Sequence, residues 1–571
     1  MKRTAKISAL ILLGALVCGA TLHAQSPGTA NGNRAVENRT GENRTDGNRT
    51  ISGVVISGVN GQPLEDASVT LLDVRDGKVV AETGTDLEGR FLFANLSDGR
   101  FELRASHRGF VTADFEDHEG FSTAIVTGGA LDTTGLRFTL EPQAAIYGTV
   151  TEDSGDPVPH ARVSLFRRIG GSGRIVRAGT IGADVMGHFE FPGLAPGNYY
   201  LCAAGEPWYR TYRPPAPDQQ GNAAAERPRS PLDVAYRLSF FPDGTDSSAA
   251  EAVEVNAGDR VEANFTLHPV PAVHISIPMP NYDSEGGARG VQFSENVFGA
   301  PEIVQAGLTS ITESHDSSGN SVKTMEIDGV PPGEYEVEVQ TPSRVGRPRE
   351  FTTIDATSEH ASLDISSIAS LAEVSAKVSM ASGAGLPAGL SVTLAPAQGD
   401  SELFAQVKPD GSFQFDEVRP GRYSVILRAN DLFLFALRLS ASGGKVDGRE
   451  LEVGGDSVAL TVIAAEANAT LSGFANLNGK PVPGVFVVLV PADASAGREA
   501  LLANQTDSDG SFIWFHVSPG AYTLVAVKEG WTLDWTQPGA MARYLAKGEK
   551  VNVPPDAKQI ELKEPVEVQS K

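Results

Sequence analysis

The stretch Gly411-Ser-Phe-Gln-Phe-Asp-Glu-Val-Arg-Pro-Gly-Arg-Tyr423 contains the pattern from which the rest of the chain can be read. Its aromatics alternate with polar residues, the period of a strand with one buried face. Gly411 ends a turn in which φ is free to be positive, and Pro420-Gly421 supplies a second tight turn. Tyr423-Ser-Val-Ile-Leu then alternates again, so the stretch predicts a hairpin with an apolar face, its Gly421 in the left-handed position.

The pattern recurs. Gly89-Arg-Phe-Leu-Phe leads to Asp98-Gly99-Arg-Phe101, Gly187-His-Phe-Glu-Phe to Pro196-Gly197-Asn-Tyr199, and Gly510-Ser-Phe-Ile-Trp to Pro519-Gly520-Ala-Tyr522. The two glycines stand ten positions apart in each of these copies. A further copy keeps Pro332-Gly333-Glu-Tyr335 and the alternation Met325-Glu-Ile327, but has Lys323 at the first glycine. A second element precedes most copies: Gly53-Val-Val before Pro63 and Ala67-Ser-Val69, Gly148-Thr-Val before Pro157 and Ala161-Arg-Val163, and Gly473-Phe-Ala before Pro481 and Val485-Phe-Val487. Alternating segments such as Gly135-Leu-Arg-Phe-Thr-Leu, Val261 to Leu267 and Lys558-Gln-Ile-Glu-Leu close the copies. Internal repetition of short strands, with Gly and Pro turns and little helix, predicts an all-β tandem array of about five small antiparallel β-sandwich domains.

These motifs resemble the carboxypeptidase regulatory-like domains, which are prealbumin-like sandwiches akin to collagen-adhesin B-type repeats and to the starch-binding-like fold. The resemblance implies a fold and leaves function open. In metallocarboxypeptidases the module accompanies a separate zinc peptidase domain, and no such domain is legible here. Tyr199-Tyr-Leu-Cys-Ala lacks the glutamate of the Tyr-x-Leu-x-Glu box that cross-links pilin relatives, so no isopeptide bond is expected.

The expected organisation is a signal peptide over 1–24, a disordered polar tether over 25–49, and repeats over 50–141, 142–269 (with a proline-rich insertion), 270–370 (degenerate), 371–466 and 467–571. Lys2, Arg3 and Lys6 precede an apolar run ending at Leu22-His23-Ala24, a secretory pattern with cleavage after Ala24. Val17 before Cys18 departs from a lipoprotein signal, so a lipid anchor is not expected. The tether repeats Asn-Arg-Thr at 38, 43 and 48 and lacks the apolar content for a core. No later stretch reaches the length of a transmembrane helix. The protein is therefore expected to be exported: periplasmic, cell-surface or secreted. The very short linkers predict modules docked end to end.

The formal charge of −24 repels phosphate backbones and argues against nucleic acid as a partner. After cleavage only Cys202 is left, in an alternating segment that predicts a packed thiol and no intrachain disulfide. The ten histidines are scattered, with no His-Glu-x-x-His, nucleophile elbow or phosphate loop. Neither an enzyme nor a cofactor is expected.

Two candidate sites stand out. Trp208-Tyr209-Arg-Thr-Tyr212 precedes the proline-rich insertion, and Trp531 and Trp535 occupy a comparable place in the last copy. Exposed flat rings grip sugar C–H faces, so these five residues are carbohydrate-binding candidates. Core packing is the competing reading: Gly530-Trp531 matches Gly109-Phe110, which puts Trp531 against its own module, and Trp514 replaces a core phenylalanine. Asp507-Ser-Asp509-Gly510 is a fragment of a calcium loop, with only two of the ligands a full loop needs. Turn chemistry favours Asp and Gly at such places in any case. The leading functional expectation is an exported, non-catalytic structural or adhesive scaffold for envelope or extracellular proteins. A polysaccharide-binding protein comes second, and an accessory module for a separate peptidase or outer-membrane transporter third.

Overall fold

The computed structural model describes residues 48–571 except 129–130, 172, 211–229, 280–289, 305–308, 316–320, 341–349, 359, 364–370, 397–401, 431, 456, 494–500 and 538. The expected signal segment, Cys18, nearly all of the tether and Tyr212 fall outside these residues. Residues 46–571 cluster as one compact unit.

The alternation read from the sequence is the alternation of burial. Phe413 and Phe415 are 3% and 4% exposed, while Gln414 between them faces solvent. Phe91 and Phe93, Phe189 and Phe191, and Phe512 and Trp514 are buried in the same way. The glycine that opens each of these strands has φ between 71° and 84° (Gly89, Gly187, Gly411, Gly510). A Cβ at Gly89 would also stand 2.6 Å from the Val55 carbonyl oxygen on the first strand. Both the backbone angle and the close approach demand glycine here.

Each module is built around its first strand. Arg49–Ser57 pairs antiparallel with Arg90–Leu96 and parallel with the closing strand Leu136–Leu140. Ala144–Glu152 does the same with His188–Leu194 and with Arg260–Glu262 and Phe265–Leu267. Ala372–Met380 pairs with Ser412–Val418 and Val458–Glu466, and Ala469–Leu477 with Ser511–Val517, Gln559–Glu561 and Val566–Gln569. The other pairings are antiparallel, so the closing strand departs from the expected antiparallel pairing. Val273–Met279 makes the same two pairings, with Ser321–Val330 and His360–Ser362. The divergent third copy therefore shares the plan. Lys323 replaces the turn glycine because it lies within a lengthened strand, opposite Met279 on one side and Glu313 on the other.

The expected hairpin is not a hairpin. Ser412–Val418 belongs to the sheet of the first strand, whereas Gly421–Arg428 pairs with Ser391–Pro396 in the facing sheet. The chain crosses between sheets at Pro420-Gly421, and the first three copies cross in the same way. In the fifth, Ser511–Val517 pairs with the first strand and Gly520–Val527 with Phe486–Pro491. There Val566–Gln569 pairs with both Ala469–Leu477 and Gly520–Val527 and joins the two sides into one nine-stranded sheet. Crossing aims Phe413 and Phe415 at Tyr423, Val425 and Leu427 within one core, which a flat hairpin could not do. Two devices produce it. A bulge just before the crossing carries one left-handed residue: Asn95, Gly193, Gly329, Glu417 or His516. The tyrosine after the crossing then donates its hydroxyl to the carbonyl four residues back, from Tyr199 to Ala195 (2.8 Å), Tyr335 to Pro331 (2.6 Å), Tyr423 to Arg419 (2.8 Å) and Tyr522 to Ser518 (2.8 Å). Its ring packs back over the glycine: Tyr522 lies 3.4 Å from where a Cβ of Gly520 would be. Gly197, Gly421 and Gly520 have φ of 152°, 158° and 156°, positive angles that side chains rarely adopt, as expected of a turn glycine, though wider than the left-handed value of about 57°.

Candidate functional site

The modules are not docked only to their sequence neighbours. The fifth packs on the first and touches the second; of the side chains that join them, Asp507, Trp531 and Trp535 stood out in the sequence for other reasons, whereas Arg100, Thr123 and Gln505 did not.

The turn before the Gly-x-Phe strand shows how. Asp86 Oδ1 accepts from the amides of Glu88 (3.0 Å) and Arg90 (2.8 Å), and Asp184 Oδ1 from those of Met186 (2.8 Å) and His188 (2.9 Å). These aspartates hold their own turns. Asp507 occupies the same position in the fifth module, but its neighbour Asp509 takes over the turn, accepting from the Ser511 amide at 2.9 Å. Asp507 is thereby released to accept from Arg100 of the first module, which also donates to Ser511 Oγ at 2.8 Å. The Asp507 side chain is 6% exposed and that of Arg100 26%. The doubled aspartate that suggested calcium serves an ion pair between modules. Burial pulls the Arg100 guanidinium down from its ordinary range, and the charge of Asp509 works against that shift. Among the described residues no group of three or more His, Cys, Asp or Glu could hold a metal ion.

Around this pair the junction is closely satisfied. Gln505 is fully buried; its Nε2 donates to the Glu116 carbonyl (2.9 Å) and to Thr123 Oγ1 (2.7 Å), and its Oε1 lies 3.0 Å from His118 Nδ1. The Ser508 amide donates to the Ala124 carbonyl and the Val126 amide to Ser508 Oγ, both at 2.9 Å. Buried polar groups this well paired are specific rather than merely tolerated.

The aromatic candidates divide. Trp531 stacks on His118 of the first module, with ring centroids 4.1 Å apart and planes at 22°. It packs on its own module as expected, against the cluster that holds Phe486, Val488 and Val527, and on the first module as well. Trp535 is half-buried among Phe121 and Phe486, whose centroids stand 6.1 and 5.7 Å away, and its indole lies against Gly171 of the second module. Its neighbour Asp534 accepts a two-pronged contact from Arg168 at 2.9 and 3.2 Å. Trp514 is a core residue, 7% exposed. Trp208 is the open ring, 73% exposed, with Tyr209 edge-on at 5.7 Å.

The junction between the second and third modules is also built of charge. Glu302, 3% exposed, is gripped by Arg162 (2.9 Å) and Arg177 (2.7 Å), and His274 faces Asp233 at 2.8 Å with both buried. Burial pushes the Glu295 carboxyl up to about 7 despite Arg237 nearby. Cys202 packs in the apolar cluster that spans this junction, and burial raises its thiol well above the usual range.

The first module supplies the comparison that can be made by family. Residues 50–141 match the carboxypeptidase regulatory-like domain. The strand plan of that carboxypeptidase regulatory-like module is the plan repeated through the rest of the chain. No curated protein matches the chain. Similar solved structures include the Bacillus anthracis TIE protein (11% identity, 73% of this chain and 74% of that one, TM-score 0.18). Others are the shaft pilin SpaA of Lactobacillus rhamnosus GG (11%, 39% and 98%, 0.18) and the fimbrial anchor protein Mfa2 of Porphyromonas gingivalis (11%, 38% and 83%, 0.16). At these scores they carry no inference about what this chain does. Among the described residues no helix is long and apolar enough to cross a membrane.

Proposed function

We propose that the chain is an exported, non-catalytic scaffold that holds five β-sandwich modules in fixed relation and presents their turns to envelope or extracellular proteins. The observation that supports this reading is where the buried polar groups go. Gln505, Asp507 and Glu302 are spent on joining one module to another. A chain whose buried charges tie its modules together is suited to keeping surfaces at set positions. The regulatory-like match of the first module, a non-catalytic module type, agrees with it.

The test is cross-linking of the chain in its native cells, with fractionation. A scaffold cross-links reproducibly to a small set of envelope or extracellular proteins and leaves the cytoplasm only with residues 1–24 intact. Hydrolysis of peptide, ester or glycoside substrates by the pure protein would overturn the reading.

One observation favours a second reading, polysaccharide binding. Trp208 offers an open indole face with Tyr209 beside it, which suits a sugar ring. Trp208→Ala should then abolish binding to a responsive glycan without lowering thermal stability, because the ring is exposed. Blank binding across a broad glycan panel removes this reading.

A further inference from the structure

The junction between the first and fifth modules joins two different surfaces. One carries Arg100, His118, Phe121 and Thr123; the other carries Gln505, Asp507 and Trp531. Unlike surfaces can close within one chain or join the fifth module of one chain to the first module of the next. Which occurs depends on how firmly the fifth module is held by its sequence neighbour.

That hold is slight. The link after Glu466 is Ala467-Asn468, and the Ala467 amide donates to the Phe433 carbonyl at 2.9 Å. Phe433 stacks on His516 with centroids 3.6 Å apart, yet it is 60% exposed. Beside the stack is a cavity of 140 Å³ lined by Phe433, Phe435, Arg449, Leu502, His516 and Tyr522, so the joint is incompletely packed. Against this, Gln505, Thr123 and Asp507 on the other junction are 0%, 1% and 4% exposed. Opening therefore falls between the fourth and fifth modules, and a released fifth module keeps an intact docking face.

We propose that this protein assembles head to tail with copies of itself by exchanging fifth modules, the fifth module of each chain occupying the first-module surface of the next. No new contact is required, because the exchanged junction is the one already made within the chain. A tethered module sees its own docking site at roughly millimolar effective concentration, so exchange needs dense chains or folding in a crowd.

The test uses Val126→Cys and Ser508→Cys, placed where the Val126 amide meets Ser508 Oγ at 2.9 Å. The double variant, folded dilute, should form an intrachain disulfide. The two single variants, co-refolded as full chains at high concentration, should form a disulfide-linked heterodimer. A double variant that closes internally while the mixed singles give only monomer overturns the proposal. Light scattering of the wild-type chain refolded dilute and concentrated gives a second reading. Multimers from the concentrated sample support exchange, and a monomer at every concentration refutes it. Failure here leaves the scaffold reading untouched, since a closed monomer is still a scaffold.

Discussion

Replacing Gln505 with alanine should loosen the fifth module from the first without unfolding either. The side chain is fully buried and its amide serves the Glu116 carbonyl, Thr123 Oγ1 and His118 Nδ1. Each such bond contributes about 0.5–1.5 kcal/mol net, and leaving a buried partner unpaired costs about 1–3 kcal/mol. Water admitted to the gap recovers part of that, so about 3 kcal/mol is a fair total, or roughly a hundredfold in the docking equilibrium. Hydrogen exchange reads it directly. The Val126 amide is bonded to Ser508 Oγ across the junction, so its exchange reports opening of this contact. In the Gln505→Ala chain it should exchange on the order of a hundredfold faster, while core amides of the first module hold their protection. Gln406 is the control: it stands at the same place in the fourth module, is exposed, and donates only within its module, to the Leu390 carbonyl at 2.7 Å. Gln406→Ala should leave Val126 unchanged. If Gln505→Ala also leaves Val126 exchange unchanged, the junction does not hold the modules together and the reasoning fails.

Three other perturbations follow from the same geometry. Tyr423→Phe deletes the bond to the Arg419 carbonyl and should lower stability by about 1 kcal/mol in chemical denaturation, leaving secondary structure intact. Gly89→Ala forces a Cβ into a left-handed residue facing the Val55 carbonyl, so the first module should lose more than about 1–2 kcal/mol. Glu295, raised by burial to about 7, binds its proton more tightly folded than unfolded. Its contribution is fully present below the ordinary carboxylate range and is lost as pH rises through about 7. Glu295→Gln should therefore stabilise the chain at pH 8, change little near pH 4, and flatten the thermal-stability profile between them.

Much of the fold is legible in the sequence because it is local. Alternation at Phe413-Gln-Phe415 and the turn glycines are set by residues within a few positions of one another, and repetition makes them conspicuous. The crossing between sheets was not legible, since a strand, a turn and a strand spell a hairpin and a crossing alike. Its signal lies in Asn95, Glu417 and His516, ordinary residues that adopt left-handed backbone only in context. The candidate site was less legible still. Gln505 and Asp507 meet partners nearly four hundred positions or more away, as with Asp507 and Arg100. The available hint was the surplus aspartate of Asp507-Ser-Asp509, whose two copies do two jobs. Trp531 and Trp535 advertised a surface in the sequence, and in the structure they face other modules of the same chain.

The most direct test is a distance distribution between the first and fifth modules, from spin labels at Leu87→Cys and Lys528→Cys. Both positions are exposed, at 72% and 68%, and Cys202 is buried and should not label. One narrow distance in dilute solution is the predicted result. A broad distribution, as from modules strung loosely on their linkers, would contradict the account.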